Sequence, residues 1–134
     1  MALAVALDCS FVARGYAGDH EHLKGLIKAA VNHKGFSLVD ILQPCVTFNK
    51  VNTYGWYGQR VYHIEPEYNP EDRVAAFQKA LEWGDKIPIG IIYRNNRPTF
   101  EERVPVINGE TLVKQTVSLE GLKPKLRETI KEFI

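Results

Sequence analysis

Scarcity narrows the chemistry of this sequence before any motif does. Its 134 residues include two cysteines, Cys9 and Cys45, too few for a disulfide framework and consistent with reduced thiols in a cytoplasmic setting. Charge of one sign is also missing, because 17 Lys and Arg stand against 16 Asp and Glu. That balance argues against a nucleic-acid face or a membrane-binding patch. The apolar run Ala2 to Leu7 has no basic leader and is far too short to cross a bilayer. No repeat, low-complexity tract or linker interrupts the chain. Dinucleotide-binding and P-loop signatures are absent too: "GYAG" at 15–18 is only G-x-x-G, and a plain strand-to-helix turn accounts for it.

The residues that remain are those of an ordinary soluble domain, 45% apolar and 25% charged, with length for one core spanning 1–134. The apolar run Phe11-Val12-Ala13 ends at Arg14-Gly15. Asp19 then caps a helix over 19–34, whose Leu23, Leu26, Ile27, Ala30 and Val31 recur on one face and which Gly35 ends. Phe36 to Leu42 is nearly continuous apolar sequence and predicts a parallel strand covered on both faces, completing a βαβ unit. From 51 to 68 the pattern is aromatic and irregular, with a short helix at 54–60. Asn69 and Pro70 predict the start of the next helix, Gly84 its end, and Ile87 to Tyr93 a third strand. Asn108-Gly109 signals a hairpin, and Leu122, Leu126, Ile130 and Phe133 a helix beginning near Pro124. The expected fold is a three-layer α/β domain on a largely parallel sheet.

Ligands of open α/β sheets gather at the carboxyl ends of strands, and three places meet that rule: Arg14-Gly15, Pro44-Cys45 and Tyr93-Arg94. Cys45 is therefore either a functional thiol or a small buried hydrophobe. A proline before it and Thr47, Asn49 and Lys50 after it weaken the second reading. One thiol is a poor metal site by itself, since iron and zinc want several thiolate or imidazole ligands. His20 and His22 are two apart and do not share a helix face; His33 falls at a helix end; His63 lacks an acid partner nearby in sequence. Ordinary surface or packing roles are expected for all four. The aromatic loop is expected to cover a core or an interface rather than stack on a ligand.

Three stretches carry a resemblance: "FVARGYAGDHEHLKGLIKAAVNHKG", "DILQPCVTFNK" and "AAFQKALEWGDKIPIGIIYRNNRPTFEE". Together they strongly resemble the C-terminal half of the β subunit of 2-oxoacid:ferredoxin oxidoreductases, over residues 2 to about 103. The resemblance implies the C-terminal portion of a thiamine diphosphate-binding fold. In the complete subunit it implies thiamine diphosphate, Mg2+ and a [4Fe-4S] cluster, and an enzyme that oxidatively decarboxylates 2-oxoacids to acyl-CoA while reducing ferredoxin. Cys45, within Leu42-Gln43-Pro44-Cys45, matches the last cluster ligand of that family. Arg14, Thr47, Asn49 and Lys50 are expected near cofactor, cluster or partner.

The other cluster cysteines and the Gly-Asp-Gly-Asp magnesium motif of the family have no counterpart here, and Cys9 stands in a different context. This chain alone is accordingly expected to bind none of those cofactors and to be inactive. Its expected partners are the missing N-terminal half of the subunit, the α and further subunits, ferredoxin, and a second copy of itself through Ala2 to Leu7 or Tyr54 to Tyr62. Two competing classes are a non-catalytic assembly fragment that keeps the fold, and a thiol-dependent protein using Cys45 as nucleophile. No histidine is placed in sequence to activate that thiol.

Overall fold

A computed structural model describes residues 1–105, 107, 112–114 and 119–133. The expected hairpin at Asn108-Gly109 lies outside them. The chain divides into two compact units, Met1–Thr99 and Phe100–Ile134.

The first unit is built on strands β1 (Phe11–Tyr16), β2 (Ser37–Leu42), β3 (Val61–His63) and β4 (Ile87–Arg94), ordered β2-β1-β4-β3. β1 and β2 are parallel, in register from Phe11 opposite Ser37 to Tyr16 opposite Leu42. β3 and β4 are also parallel. The central pair, β1 with β4, is antiparallel, so the sheet is mixed and its two parallel halves run in opposite directions.

Helices cover both faces. On one side α2 (His20–Asn32) packs Leu26 onto Phe11 and Ala13, with Val39 and Ile91 beside them. On the other, α1 (Ala2–Ala6) and α4 (Arg73–Leu81) bury Val5, Ala76 and Ala80 against Val12, Ile92 and Tyr93. Alternation along β1 sends odd and even residues to opposite layers, which is why a strand buried at every position serves two cores. Arg73 ties the second layer together, its guanidinium donating to the carbonyls of Val5 and Ala6 at the end of α1.

The helix expected over 19–34 forms as α2, and Asp19 caps it by accepting from the His22 amide at 3.2 Å. Gly35, at φ +118°, turns the chain toward β2, and a Cβ there would sit 2.8 Å from Ser10 Oγ. Gly90, at φ +144°, lies beside an irregular step in the β1–β4 register between Val12 and Ala13. The main chain there passes close under Ile64.

Several expectations are corrected. β2 is an edge strand, mostly half-buried, with only Leu42 fully covered. Its continuous apolar pattern fits a central strand, but β4, later in the sequence, takes the inner place beside β1. The next helix begins at Arg73, not at Pro70. Asp72 is its cap, accepting from the Val74 and Ala75 amides, and Asn69 instead organises the turn before it. The third expected strand forms at the predicted place, with Pro88 opposite Tyr62 near its start. β3 was hidden in the aromatic stretch, since three residues are too few for a period.

In the second unit, α5 (Phe100–Arg103), a 3-10 turn (Leu112–Lys114) and α6 (Leu119–Lys131) are described. α6 starts five residues before Pro124, which sits inside its first turns. No described helix is long and apolar enough to cross a membrane.

Candidate functional site

The parallel register puts the carboxyl ends of β1 and β2 at one edge, where Tyr16 stands opposite Leu42. Because β4 is antiparallel to β1, its amino end joins them there, and its carboxyl end lies at the far edge with Arg94 opposite Phe11. Tyr93-Arg94 therefore does not belong to the ligand edge as expected. Tyr93 and Asn95 instead hydrogen-bond the Asp8 carboxylate at 2.5 and 3.0 Å, and Arg97 pairs with it at 2.7 Å.

β2 leaves the sheet at the ligand edge through a clamp: the Leu42 carbonyl accepts from the Ala17 amide at 3.0 Å. Pro44 is buried and Cys45, next to it, is exposed. The following residues make one turn in which the Asn49 amide donates to the Cys45 carbonyl at 3.1 Å. This turn directs the backbone N–H groups of Phe48, Asn49 and Thr47 at the Cys45 sulfur, and they lower its pKa below that of an ordinary thiol. These amide dipoles favour the thiolate form of Cys45 relative to an ordinary thiol.

The loop is self-supporting. Asn49 Oδ1 accepts from the Val51 and Asn52 amides, and its Nδ2 donates to Asn52 Oδ1 at 3.2 Å. Lys50 Nζ donates to the Val46 carbonyl at 2.6 Å. The structure thus brings Cys45, Thr47, Asn49 and Lys50 into one loop, where Thr47 and Asn49 act on the sulfur through their main chain. Around the sulfur, Val46, Phe48 and Val51 are all exposed, Phe48 to 89%.

Arg14 is elsewhere. Only 4% exposed, it lies two residues inside the end of β1, its Nε 3.1 Å from Asp40 Oδ2. Its guanidinium lies 5.4 Å from the Trp83 ring, and Nη2 reaches toward the Ala80 carbonyl at the end of α4.

The aromatic stretch closes the same edge, as expected of a cover. Thr53 caps α3 (Tyr54–Gly58), which packs Trp56 and Tyr57 onto Tyr16, Leu42, Ile87 and Ile89. The Tyr16 hydroxyl donates to the Tyr54 carbonyl at 2.6 Å, and burial pushes its pKa up.

A second group of polar residues collects between the start of α2 and the end of β3. His63 Nε2 lies 2.8 Å from Asp19 Oδ2, and the His22 and His63 rings stack with centroids 4.4 Å apart. Burial and the neighbouring His63 lower the pKa of His22, while the His63 hydrogen bond lowers that of Asp19. His63, which has no acid nearby in sequence, gains one from 44 positions away. No local pattern signals that pairing. His33 is half-buried against Phe11 rather than exposed.

A family model described as the C-terminal region of pyruvate ferredoxin oxidoreductase β subunits matches residues 45–109, beginning at Cys45. A 2-oxoacid:ferredoxin oxidoreductase β subunit from Sulfolobus sp. is 44% identical, over 96% of this chain and 49% of its own. Another, from Aeropyrum pernix, is 38% identical over all of this chain and 49% of its own. Among solved structures, a 2-oxoglutarate:ferredoxin oxidoreductase from Magnetococcus marinus superimposes with a TM-score of 0.79 at 29% identity. That match covers 93% of this chain and 43% of the other, which was solved with 2-oxoglutarate, coenzyme A and succinyl-CoA bound. This chain spans about half the length of the relatives it matches.

Proposed function

The chain belongs to the 2-oxoacid:ferredoxin oxidoreductase β-subunit family, and on that premise we propose that it forms the part of such a subunit that supplies one thiolate to an iron–sulfur cluster. The observation that carries this reading is the exposed Cys45, presented just past the carboxyl end of β2 on a loop that Asn49 and Lys50 hold together. Amide donors to a ligating sulfur stabilise its negative charge and raise the potential of the iron it binds. An exposed thiol on a self-bonded loop, its thiolate form favoured by neighbouring amides, fits one corner of a cluster whose remaining ligands come from outside this chain.

The same test applied to Mg2+ and thiamine diphosphate gives a different answer. From 41 to 64 the sequence contains no Asp or Glu, so this loop offers none of the carboxylates a hard cation requires. Asn49 spends its amide inside the loop, Lys50 holds a carbonyl and Arg14 an aspartate. Those ligands would come from outside this loop. When bound, thiamine diphosphate supplies carbanion chemistry and the cluster carries electrons away one at a time. The assembled enzyme would convert 2-oxoacids to acyl-CoA and reduce ferredoxin in the cytoplasm, with the other subunits as partners. By itself the chain would be inactive. The exposed Val46, Phe48 and Val51 are apolar surface that a partner segment would cover.

Reconstitution of the chain with the rest of the subunit and its partners tests the reading. Cys45→Ser should remove or degrade the cluster, seen as loss of iron, sulfide and visible absorption, and should stop ferredoxin reduction. An unchanged cluster spectrum with unchanged ferredoxin reduction would refute the ligand role.

A further inference from the structure

We propose that Asp19, His22 and His63 form a binding site for a single borderline divalent cation, of which Zn2+ is the representative. One ligand atom from each residue lies within 4.8 Å of the others, and among the described residues this group has the composition and spacing to hold a metal. Two imidazoles and a carboxylate are the donor set of zinc sites that keep one position open.

The residues are fixed by separate parts of the fold. Asp19 and His22 span the first turn of α2, where the Asp19 Oδ1 cap bond to the His22 amide fixes their relative position. His63 comes from the last position of β3, opposite Ile89. The capping bond uses Oδ1 and leaves Oδ2 for a ligand. His22 Nδ1 supplies an independent indication: it is buried and has no hydrogen-bond partner among the described residues. A buried imidazole nitrogen without a partner costs free energy unless something occupies it.

Ligands held at about 2.0–2.2 Å in a tetrahedron sit roughly 3.3–3.6 Å apart, so the cluster must contract by about 1 Å. The rings also stack at 18°, and one has to turn before both lone pairs meet a common point. His63 is the residue to move, being 62% exposed in its side chain. Coordination would displace the proton between His63 Nε2 and Asp19 Oδ2 into solvent. The fourth position would open on an adjoining cleft of about 330 Å³, whose walls include His22, His63, Leu26, Tyr68 and Ile91. A bound ion would clamp α2 to β3 across the sheet face.

The test is calorimetric titration of the metal-free chain with Zn2+, followed by the same titration of four variants. One equivalent should bind. His63→Gln and His22→Gln should each weaken binding at least tenfold, and Asp19→Asn, which keeps a capping oxygen, should weaken it by a smaller factor. Cys45→Ser should leave it unchanged. His63 is exposed, so its variant keeps the fold, and circular dichroism of each variant verifies this. Failure to bind Zn2+, binding untouched by His63→Gln, or binding lost in Cys45→Ser would each overturn the proposal. The last outcome would place the ion on the thiol loop instead.

Discussion

Arg14 and Asp40 face each other across the β1–β2 register, joined by Nε and Oδ2 at 3.1 Å. The partners are unequal: the arginine side chain is 5% exposed and the aspartate 41%. Losing the aspartate therefore strands a buried cation, whereas losing the arginine leaves a carboxylate that water can reach. Asp40→Ala should cost about 1.5–3 kcal/mol in denaturant unfolding, and Arg14→Met, which fills the same space, less than about 1 kcal/mol. The reverse order would show that the guanidinium's contacts with Ala80 and Trp83, not its charge, set its worth.

Acid stability should depend on Asp8. The Tyr93 hydroxyl, with Arg97, Arg73 and Asn95, holds its pKa below the ordinary value despite some desolvation. A carboxylate lowered in the folded state stabilises it above the unfolded pKa, and this is lost as pH falls through the folded one. Unfolding midpoints should therefore drop below about pH 4 in the parent. Asp8→Asn should be less stable at neutral pH and show a shallower acid decline. Parallel pH profiles for the two proteins would contradict the role assigned to this carboxylate.

The thiols should react unequally. Cys45 is exposed and its thiolate is favoured by three amides, while Cys9 is half-buried against the Val5 core. Iodoacetamide followed by peptide mass analysis should label Cys45 first at neutral pH. Preferential labelling of Cys9 would mean that the amide cradle is not formed in solution.

Truncating Ile92 tests the second core layer. Its side chain is fully buried with Val5, Val12 and Ala76, so Ile92→Ala should cost about 2–5 kcal/mol by leaving a cavity. A loss under 1 kcal/mol would indicate that α1 and α4 collapse onto the gap.

Self-association is expected of the isolated chain at micromolar concentration. Leu3 on α1 and Leu7 just after it are 72% and 69% exposed, and Val74 on α4 is also exposed. The aromatic stretch is the weaker contact, because Trp56 and Tyr57 already pack on the core beneath. Light scattering should show dimers that Leu3→Glu with Leu7→Glu dissociates. A monomer at all concentrations would mean these leucines are tolerated singly in water.

Local chemistry was legible in the sequence wherever a few neighbouring residues decided the outcome. The Asp19 cap and the spacing of Leu23, Leu26 and Ile27 specify α2, and Ile87 onward specifies β4, because propensity and periodicity act within a turn or a strand. The proline before Cys45 and the polar residues after it marked a loop at a strand's carboxyl end. Tertiary structure alone decided which strand became central. β4 runs antiparallel to β1 and occupies the place that the apolar pattern of β2 suggested for itself, because strand order depends on partners brought from about 80 residues away, as Arg94 is to Phe11. It also sent Tyr93 and Arg94 to the opposite edge, committed Arg14 to Asp40, and turned three amides toward one sulfur. The pairing of Asp19 with His63 belongs with these, since 44 residues of chain separate them and only the packed sheet brings the two side chains together.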